Sequence, residues 1–484
     1  MTADAGWRWD HSYVRLPELF FVRTRPVPVR EPSLVMLNHT LADSLGLDAT
    51  MLARPDAHGI FAGNQIPAGA EPIAQAYAGH QFGHFTGLGD GRAILLGEHL
   101  APNGVRFDIQ LKGSGRTPFS RSGDGRAALG PMLREYVISE AMHALGIPTT
   151  RSLAVALTGE LVFRNDELPG AVLTRVAASH IRVGTFQWAA AHEDTAALRA
   201  LADYTRQRHF PEIADDASRH IAFFRAVMHR QCALVAKWLH VGFIHGVMNT
   251  DNMALSGETI DYGPCAFMDV YDPATVFSSI DRQGRYAYEK QPEIARWNLA
   301  RLAEAMLPLL HDDEKTAVDL ANEALGEFET IFQSHWLAGM RNKLGLMTDE
   351  PGDRDLIHAW LEWMQQNCRD FTHSFRTLSD EKSIAAPCFA DDAFVAWHTR
   401  WHERLAHQPQ SFSDVAARMR SHNPAVIPRN HKVEEALAAA SDHGDLSVLE
   451  RLLSALANPY ADRDDEYTCP PPASTTPYRT FCGT

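Results

Sequence analysis

The 484-residue chain predicts an α+β fold, rich in β-runs and glycines up to residue 185 and helical beyond it. Two observations carry this. Arg92-Ala-Ile-Leu-Leu-Gly97 and Arg106-Phe-Asp-Ile-Gln-Leu-Lys112 are short β-rich runs joined through Pro102-Asn-Gly104, the composition of a hairpin. After Thr185, apolar residues recur at helical spacing in long blocks, 221–241, 296–310 and 314–336. A chain of this length with 45% hydrophobic residues buries a large core and has room for about two to four domain-sized units.

The elements follow in order. Residues 16–45 carry several prolines between short apolar runs, so 1–60 is expected to be an N-terminal extension wrapped on the body. Residues 61–185 hold the predicted hairpin, with Lys112 ending its second strand. They also hold a helix over 127–145, where Leu133, Val137, Ala141 and Leu145 recur every fourth position and Gly146-Ile-Pro148 supplies the stop. Glu135 lies off that stripe, beside Ile138 and Met142, so the helix is apolar on more than one side and is expected to be buried. Residues 186–330 form a helical unit, and 331–484 a helical extension, broken over 365–391 and helical again over 433–440 and 446–457. The tail, with Cys469-Pro-Pro-Pro-Ala-Ser-Thr-Thr-Pro, is expected to be flexible enough to reach back across the molecule.

Charge narrows the partners. Forty-five Lys+Arg against 60 Asp+Glu gives −15, which disfavours nucleic acid or an anionic membrane as the main partner and restricts any phosphate site to a small, focused pocket. Met1 to Tyr13 mix Asp4, Arg8, Asp10 and His11 with no apolar core, and no stretch approaches the ~20 apolar residues of a spanning helix. A cytoplasmic protein without a membrane partner is the expectation.

Chemistry enters with two runs. His245-Gly-Val-Met-Asn-Thr-Asp251-Asn252 is followed by Asp261-Tyr-Gly263. Protein kinases carry H-R-D-x-x-x-x-N and then D-F-G, in which the Asn and the second Asp hold magnesium and the first Asp accepts the substrate proton. His245 and Asn252 keep the spacing, but Val247 stands where the base belongs. Valine accepts no proton, so either the chain is catalytically dead or the acid has moved, with Asp251 the best candidate. Upstream, Gly87-Leu-Gly89-Asp-Gly91-Arg92 precedes a strand, where glycines without Cβ let backbone N–H groups approach phosphate. A Rossmann turn would need a helix there, and no G-x-x-x-x-G-K-[ST] occurs, which removes a P-loop. Glycine loop, Lys112, Glu135, the His245 run and Asp-Tyr-Gly then appear in the order of a protein-kinase-like two-lobe fold, with Glu135 placed to orient Lys112.

Longer blocks carry a resemblance. Tyr77-Ala-Gly-His-Gln-Phe-Gly-His-Phe85, Gln110-Leu-Lys-Gly-Ser-Gly-Arg-Thr-Pro118, Ser122-Gly-Asp-Gly-Arg126 and Asn423-Pro-Ala-Val-Ile-Pro-Arg-Asn-His431, together with the two runs above, resemble the selenoprotein O family, also called YdiU proteins. The resemblance implies a kinase-like fold that binds ATP in reversed orientation. It implies transfer of AMP to Ser, Thr or Tyr hydroxyls of proteins, with UMP transfer from UTP attributed to bacterial members. By the same resemblance Asp251 is the proton acceptor, and Asn252 and Asp261 hold Mg²⁺ or Mn²⁺. Gly89, Gly91, Arg92, Lys112, Asp124, Gly125, Arg175 and Arg182 match the nucleotide contacts, with Asp261 beside them. Taken alone, Arg175 and Arg182 read as surface arginines; seven apart, they share a face if their segment is helical. A conventional kinase transferring the γ-phosphate and a nucleotide-binding scaffold without turnover remain open, and a monomer is the expected state.

Other features are discounted. His80 with His84, and His398 with His402, have metal-compatible spacing without H-E-x-x-H chemistry, and Trp397 with Trp401 reads as a helix face. Six cysteines form no scaffold and no C-x-x-C pair. Cys265 lies just beyond Asp-Tyr-Gly and Cys482 near the end, where some relatives carry selenocysteine. A redox pair between them and two free thiols are both open.

Overall fold

The computed structural model describes residues 5–384, 386–463, 465–472 and 478–481. An antiparallel sheet is built from β1 (Phe21–Arg23), β2 (Ser33–Leu37), β3 (Ile73–Gln75), β4 (Ala93–Leu100), β5 (Arg106–Lys112), β6 (Arg151–Phe163) and β7 (Glu167–Ala177), in the order β1-β3-β4-β5-β7-β6-β2. Trp9–Asp10 adds to β4 and Ala127–Ala128 to β7, making nine strands. Both edge strands of this path come from the N-terminal segment, whose apolar runs therefore join the sheet itself.

Alternation along the strands fixes what each face does. Ile109 and Leu111 of β5, with Val172 and Val176 of β7, turn to a core shared with Leu41, Leu45 and Leu52 of the N-terminal segment and with Phe61 just beyond it. Leu173 of β7 turns to the opposite face, in the core that holds Leu133, Val137 and Ala141 of α1 (Leu129–Ala144). Gln110 and Lys112, one residue out of phase with Ile109 and Leu111, therefore lie on the α1 side, a buried place for two polar residues. Register then aligns them with β7: Lys112 opposes Leu173 and Gln110 opposes Arg175.

Helices make up most of the remainder. α2 (Val183–Ala191), α3 (Arg219–His240), α4 (Gln291–Leu310), α5 (Phe328–Lys343) and α6 (Asn430–His443) are its main pieces. The helix expected over 314–336 is two: the N–H of Glu327 closes Glu314–Gly326 on Ala324 and Leu325, and α5 starts at the next residue. Phe243–Ile244, just after α3, pairs antiparallel with Ala266–Phe267, which draws the His245 run and the Asp-Tyr-Gly run together. The end of the chain does reach back: Thr480 bridges to Ser278, and its hydroxyl donates to the Pro264 carbonyl at 2.7 Å. Cys482 lies outside the described residues. Among those described, no helix is long and apolar enough to cross a membrane.

Candidate active site

One carboxylate organises the polar face of the sheet. Glu135 on α1 accepts from Lys112 Nζ at 2.6 Å through Oε2 and from Arg175 Nε and Nη2 at 2.8 and 2.6 Å through Oε1. Helical spacing buries Glu135 beside Ile138 and Met142, and two neighbouring strands bring the cations to it. Burial would raise its pKa, but Arg175 and Lys112 outweigh that and hold the carboxyl below its usual range. Arg175 also donates to Gln110 at 3.4 Å. The segment of Arg175 is a strand, not the helix considered above, because Val172, Thr174 and Val176 are β-branched and complete the sheet. Arg182 lies beyond that strand as the N-cap of α2.

Asp261 meets the same cations from the other side. Lys112 pairs with it, and Arg175 Nη2 lies 3.5 Å away. Burial again works to raise its pKa, and Lys112, Arg175 and Arg92 hold it far below the carboxylate range. Asp261 has φ +68°, a left-handed conformation that a non-glycine residue adopts only when its surroundings impose it. His245 braces this turn, its Nε2 lying 2.9 Å from the Ile260 carbonyl.

Asp251 differs in kind. It sits in a single turn, Thr250–Asn252, 9% exposed, and its Oδ1 is buried with no hydrogen-bond partner among the described residues. Burial pushes its carboxyl up to about 6, against a backbone hydrogen bond and Arg182, with Asp261 adding slightly to the rise. A carboxylate with a raised pKa and one unpartnered oxygen is able to take up a proton at that oxygen. Adjacent Asn252 donates its amide to the Val247 carbonyl at 3.1 Å, which commits the nitrogen and leaves the side-chain oxygen as a donor for a cation. The valine in the base position thus serves the loop through its backbone.

A hairpin, Ala78–Gln81 with His84–Gly87, covers this loop. The N–H of His80 donates to Thr250 Oγ1 at 2.7 Å and that of Phe82 to Asn249 Oδ1 at 3.1 Å. Gly79 faces Asp251 so closely that a Cβ there would stand 2.3 Å from Oδ1. His80 takes a hydrogen bond from Gln187 Nε2 at 2.7 Å and packs on Trp297, while His402 and His398 touch each other at 3.1 Å. Among the described residues no group of three or more His, Cys, Asp or Glu is arranged to hold a metal.

These parts enclose a cavity of about 130 Å³, lined by Gly91, Arg92, Lys112, Arg175, Arg182, Asp251, Asn252 and Asp261, with Tyr77, Asp90, Ala93 and Gln110. Arg182 lies 3.8 Å from Asp90 and 4.2 Å over the Tyr77 ring. Three of the expected nucleotide contacts do not line it. Gly89 has φ +108° and leaves room for the Phe119 ring, which a Cβ would meet at 2.4 Å. Asp124 is exposed and paired with Arg164 at 2.9 Å, and Gly125 is pressed against the Gly115 carbonyl. Tyr77, Asp90 and Gln110 escaped the sequence reading. Gln110 was within reach of it, since it lies two residues before Lys112 and so on the same strand face. Cys265 is fully buried, and burial pushes its thiol up to about 12, so it is a poor thiolate in this conformation.

A family model described as protein adenylyltransferase SelO matches residues 7–457. The chain belongs to the SelO/YdiU family. Relatives named protein nucleotidyltransferase YdiU agree: that of Brevibacillus brevis is 60% identical over 485 residues, covering 100% of this chain and 99% of its own. That of Anoxybacillus flavithermus is 60% identical over 483 residues, covering 99% and 100%. Membership makes the chain a nucleotidyltransferase, with a nucleotide as substrate.

Proposed function

We propose that the protein transfers AMP from ATP to Ser, Thr or Tyr hydroxyls of other proteins, on a kinase-like two-lobed frame, with UTP as an alternative nucleotide. The observation that carries the reading is the cation set at the cavity: Lys112, Arg175 and Arg182 line it together, all buried. A γ-phosphoryl donor leaves ADP, whereas an adenylyl donor leaves pyrophosphate, whose charge needs more than one lysine. In this reading the β- and γ-phosphates point inward to these cations and the α-phosphorus faces Asp251. Asp251 takes the hydroxyl proton, the oxygen bonds to the α-phosphorus, and the bond to the β-phosphate oxygen breaks, releasing pyrophosphate. Glu135 holds Lys112 and Arg175 in place.

The residues fit a divalent cation. Asn252 would offer a carbonyl oxygen and Asp261 an ionised carboxylate, both hard donors suited to Mg²⁺ or Mn²⁺. When bound, such an ion neutralises phosphate charge. Gly91 and Arg92 approach the nucleotide directly, whereas Gly89, Asp124 and Gly125 shape the loops around it. The setting is the cytoplasm, and the chain acts as a monomer. Mass spectrometry of a broad protein substrate after incubation with ATP tests the proposal. Adenylyl adducts on hydroxyl residues, lost with Asp251→Asn, are expected; phosphoryl adducts would overturn it.

A further inference from the structure

An open groove of about 510 Å³ shares no lining residue with the nucleotide cavity. One wall is the turn of the hairpin, with Phe82 and His84; the other is the segment 280–285, and the start of α4 adds Glu293 and Ile294. Both walls are tied to one atom of the catalytic loop. Asn249 Oδ1 accepts from the N–H of Phe82 at 3.1 Å and from the Tyr286 hydroxyl at 2.7 Å, and the rings of Phe82 and Tyr286 meet edge to face at 5.3 Å. Asn249 stands two residues before Asp251. A chain seated in the groove is therefore held in register with that carboxylate.

What the groove leaves unsatisfied describes its occupant. Asp281 is buried, and the N–H groups of Arg285 and Tyr286 use up its carboxylate at 3.0 and 2.8 Å. Lys290 and Glu293 face each other at 3.4 Å and cancel. Arg285 lays its guanidinium on the Trp297 ring at 4.9 Å. Arg282 remains: it is exposed, lines the groove, and has no ion pair among the described residues. Ile280 beside it is 52% exposed. A chain of net charge −15 thus presents a free cation next to bare apolar surface, close to its catalytic loop. The hairpin adds a second opening. His84–Gly87 pairs with Ala78–Gln81, and among the described residues no strand covers its outer edge, although Arg121 takes the Gly87 carbonyl at the end far from His84. An uncovered strand edge offers backbone N–H and C=O groups to an extended chain.

We propose that this groove receives the acceptor segment of the protein substrate as an extended chain, with an acidic side chain near the modified hydroxyl to meet Arg282 and an apolar one to cover Ile280. Charge complementarity of this kind selects among partners more than it adds affinity. The inference rests on the AMP transfer proposed above and adds the chemistry of its substrate.

The test incubates the full-length chain with ATP and a broad protein mixture and maps adenylylated Ser, Thr and Tyr sites by mass spectrometry. Sites with Asp or Glu within about five residues, ~17 Å of extended chain, should be enriched over sites flanked by Lys or Arg. Arg282→Gln should remove that preference. Arg282→Glu should reverse it, lowering modification of acid-flanked sites relative to neutral ones about fivefold, as an exposed attraction becomes a repulsion. The ratio is internal to each sample, so a variant that folds less well does not imitate the effect. Adducts without acidic enrichment in the wild type, or with the same site spectrum in all three proteins, would overturn the docking groove alone. Absence of any adduct would overturn the transfer itself, and the groove's role with it.

Discussion

Gly79→Ala tests how the hairpin and Asp251 depend on each other. Gly79 has no left-handed backbone, so alanine is acceptable locally and any effect comes from its methyl group. That methyl would stand 2.3 Å from Asp251 Oδ1 and 2.6 Å from Leu88 Cδ1. A carbon–oxygen contact settles near ~3.3 Å, so the two groups must part by about 1 Å. The hairpin cannot simply lift away. On its other side a Cβ at Gly184 would lie only 1.9 Å from the Ala78 carbonyl, and the N–H of His80 is tied to Thr250. Asp251 therefore takes the larger share of the displacement. A misplacement of about 1 Å at a reacting group costs roughly 100-fold in rate, or ~2.7 kcal/mol in barrier. The assay is AMP transfer to a broad protein substrate, read beside thermal unfolding, with Gly87→Ala on the same hairpin as control. There the added carbon meets Trp188 at an ordinary 3.4 Å. Turnover of Gly79→Ala within about threefold of wild type would refute this account of Asp251, since that corresponds to no real displacement.

Three further outcomes are expected. Glu135→Gln removes the carboxylate shared by Lys112 and Arg175 and should lower stability by about 3 kcal/mol, since a broken buried ion pair leaves charge uncompensated; an unchanged denaturation midpoint would contradict it. A chelator should abolish transfer and Mg²⁺ or Mn²⁺ restore it, followed by label incorporation; persistent turnover in chelator would remove Asn252 and Asp261 as metal ligands. Lys343→Met should raise the melting temperature most below pH 7. The folded-state pKa, about 7, lies under the unfolded value of 10.5, so wild-type stability rises with pH between the two and the variant's advantage shrinks there. His240 and His422, the titratable groups on which Lys343 acts, stay in both proteins, and the difference isolates Lys343; a difference that does not change with pH would contradict the burial of an ionising lysine.

What could be read in the sequence was what local pattern encodes. Strand alternation and the Pro102-Asn-Gly104 turn gave the hairpin that ends at Lys112, and a four-residue repeat gave α1 with Glu135 off its main stripe. The strand of Arg175 carries no clear local signal. Ala171-Val-Leu-Thr-Arg-Val-Ala177 is a β-rich run whose residues alternate between two buried faces, so it lacks the polar alternation that marks a half-exposed strand. Nothing local reveals that Arg175 meets Glu135, since that contact exists only once β7 lies beside β5. The approach of Gly79 to Asp251 is likewise tertiary, and no spacing rule joins residues so far apart in the chain. The burial of Lys343 against Phe371 and Phe375 was hidden too. Lys343 ends a helix, where a lysine ordinarily meets the negative end of the dipole in solvent.

The central claim is that the three buried cations hold the leaving pyrophosphate and so turn the chemistry to the α-phosphorus. ATP labelled separately at the α- and γ-positions tests it most directly. Incubation with a broad protein substrate should place only the α label in protein and recover the γ label in pyrophosphate. Appearance of the γ label in protein, with ADP as the product, would contradict it.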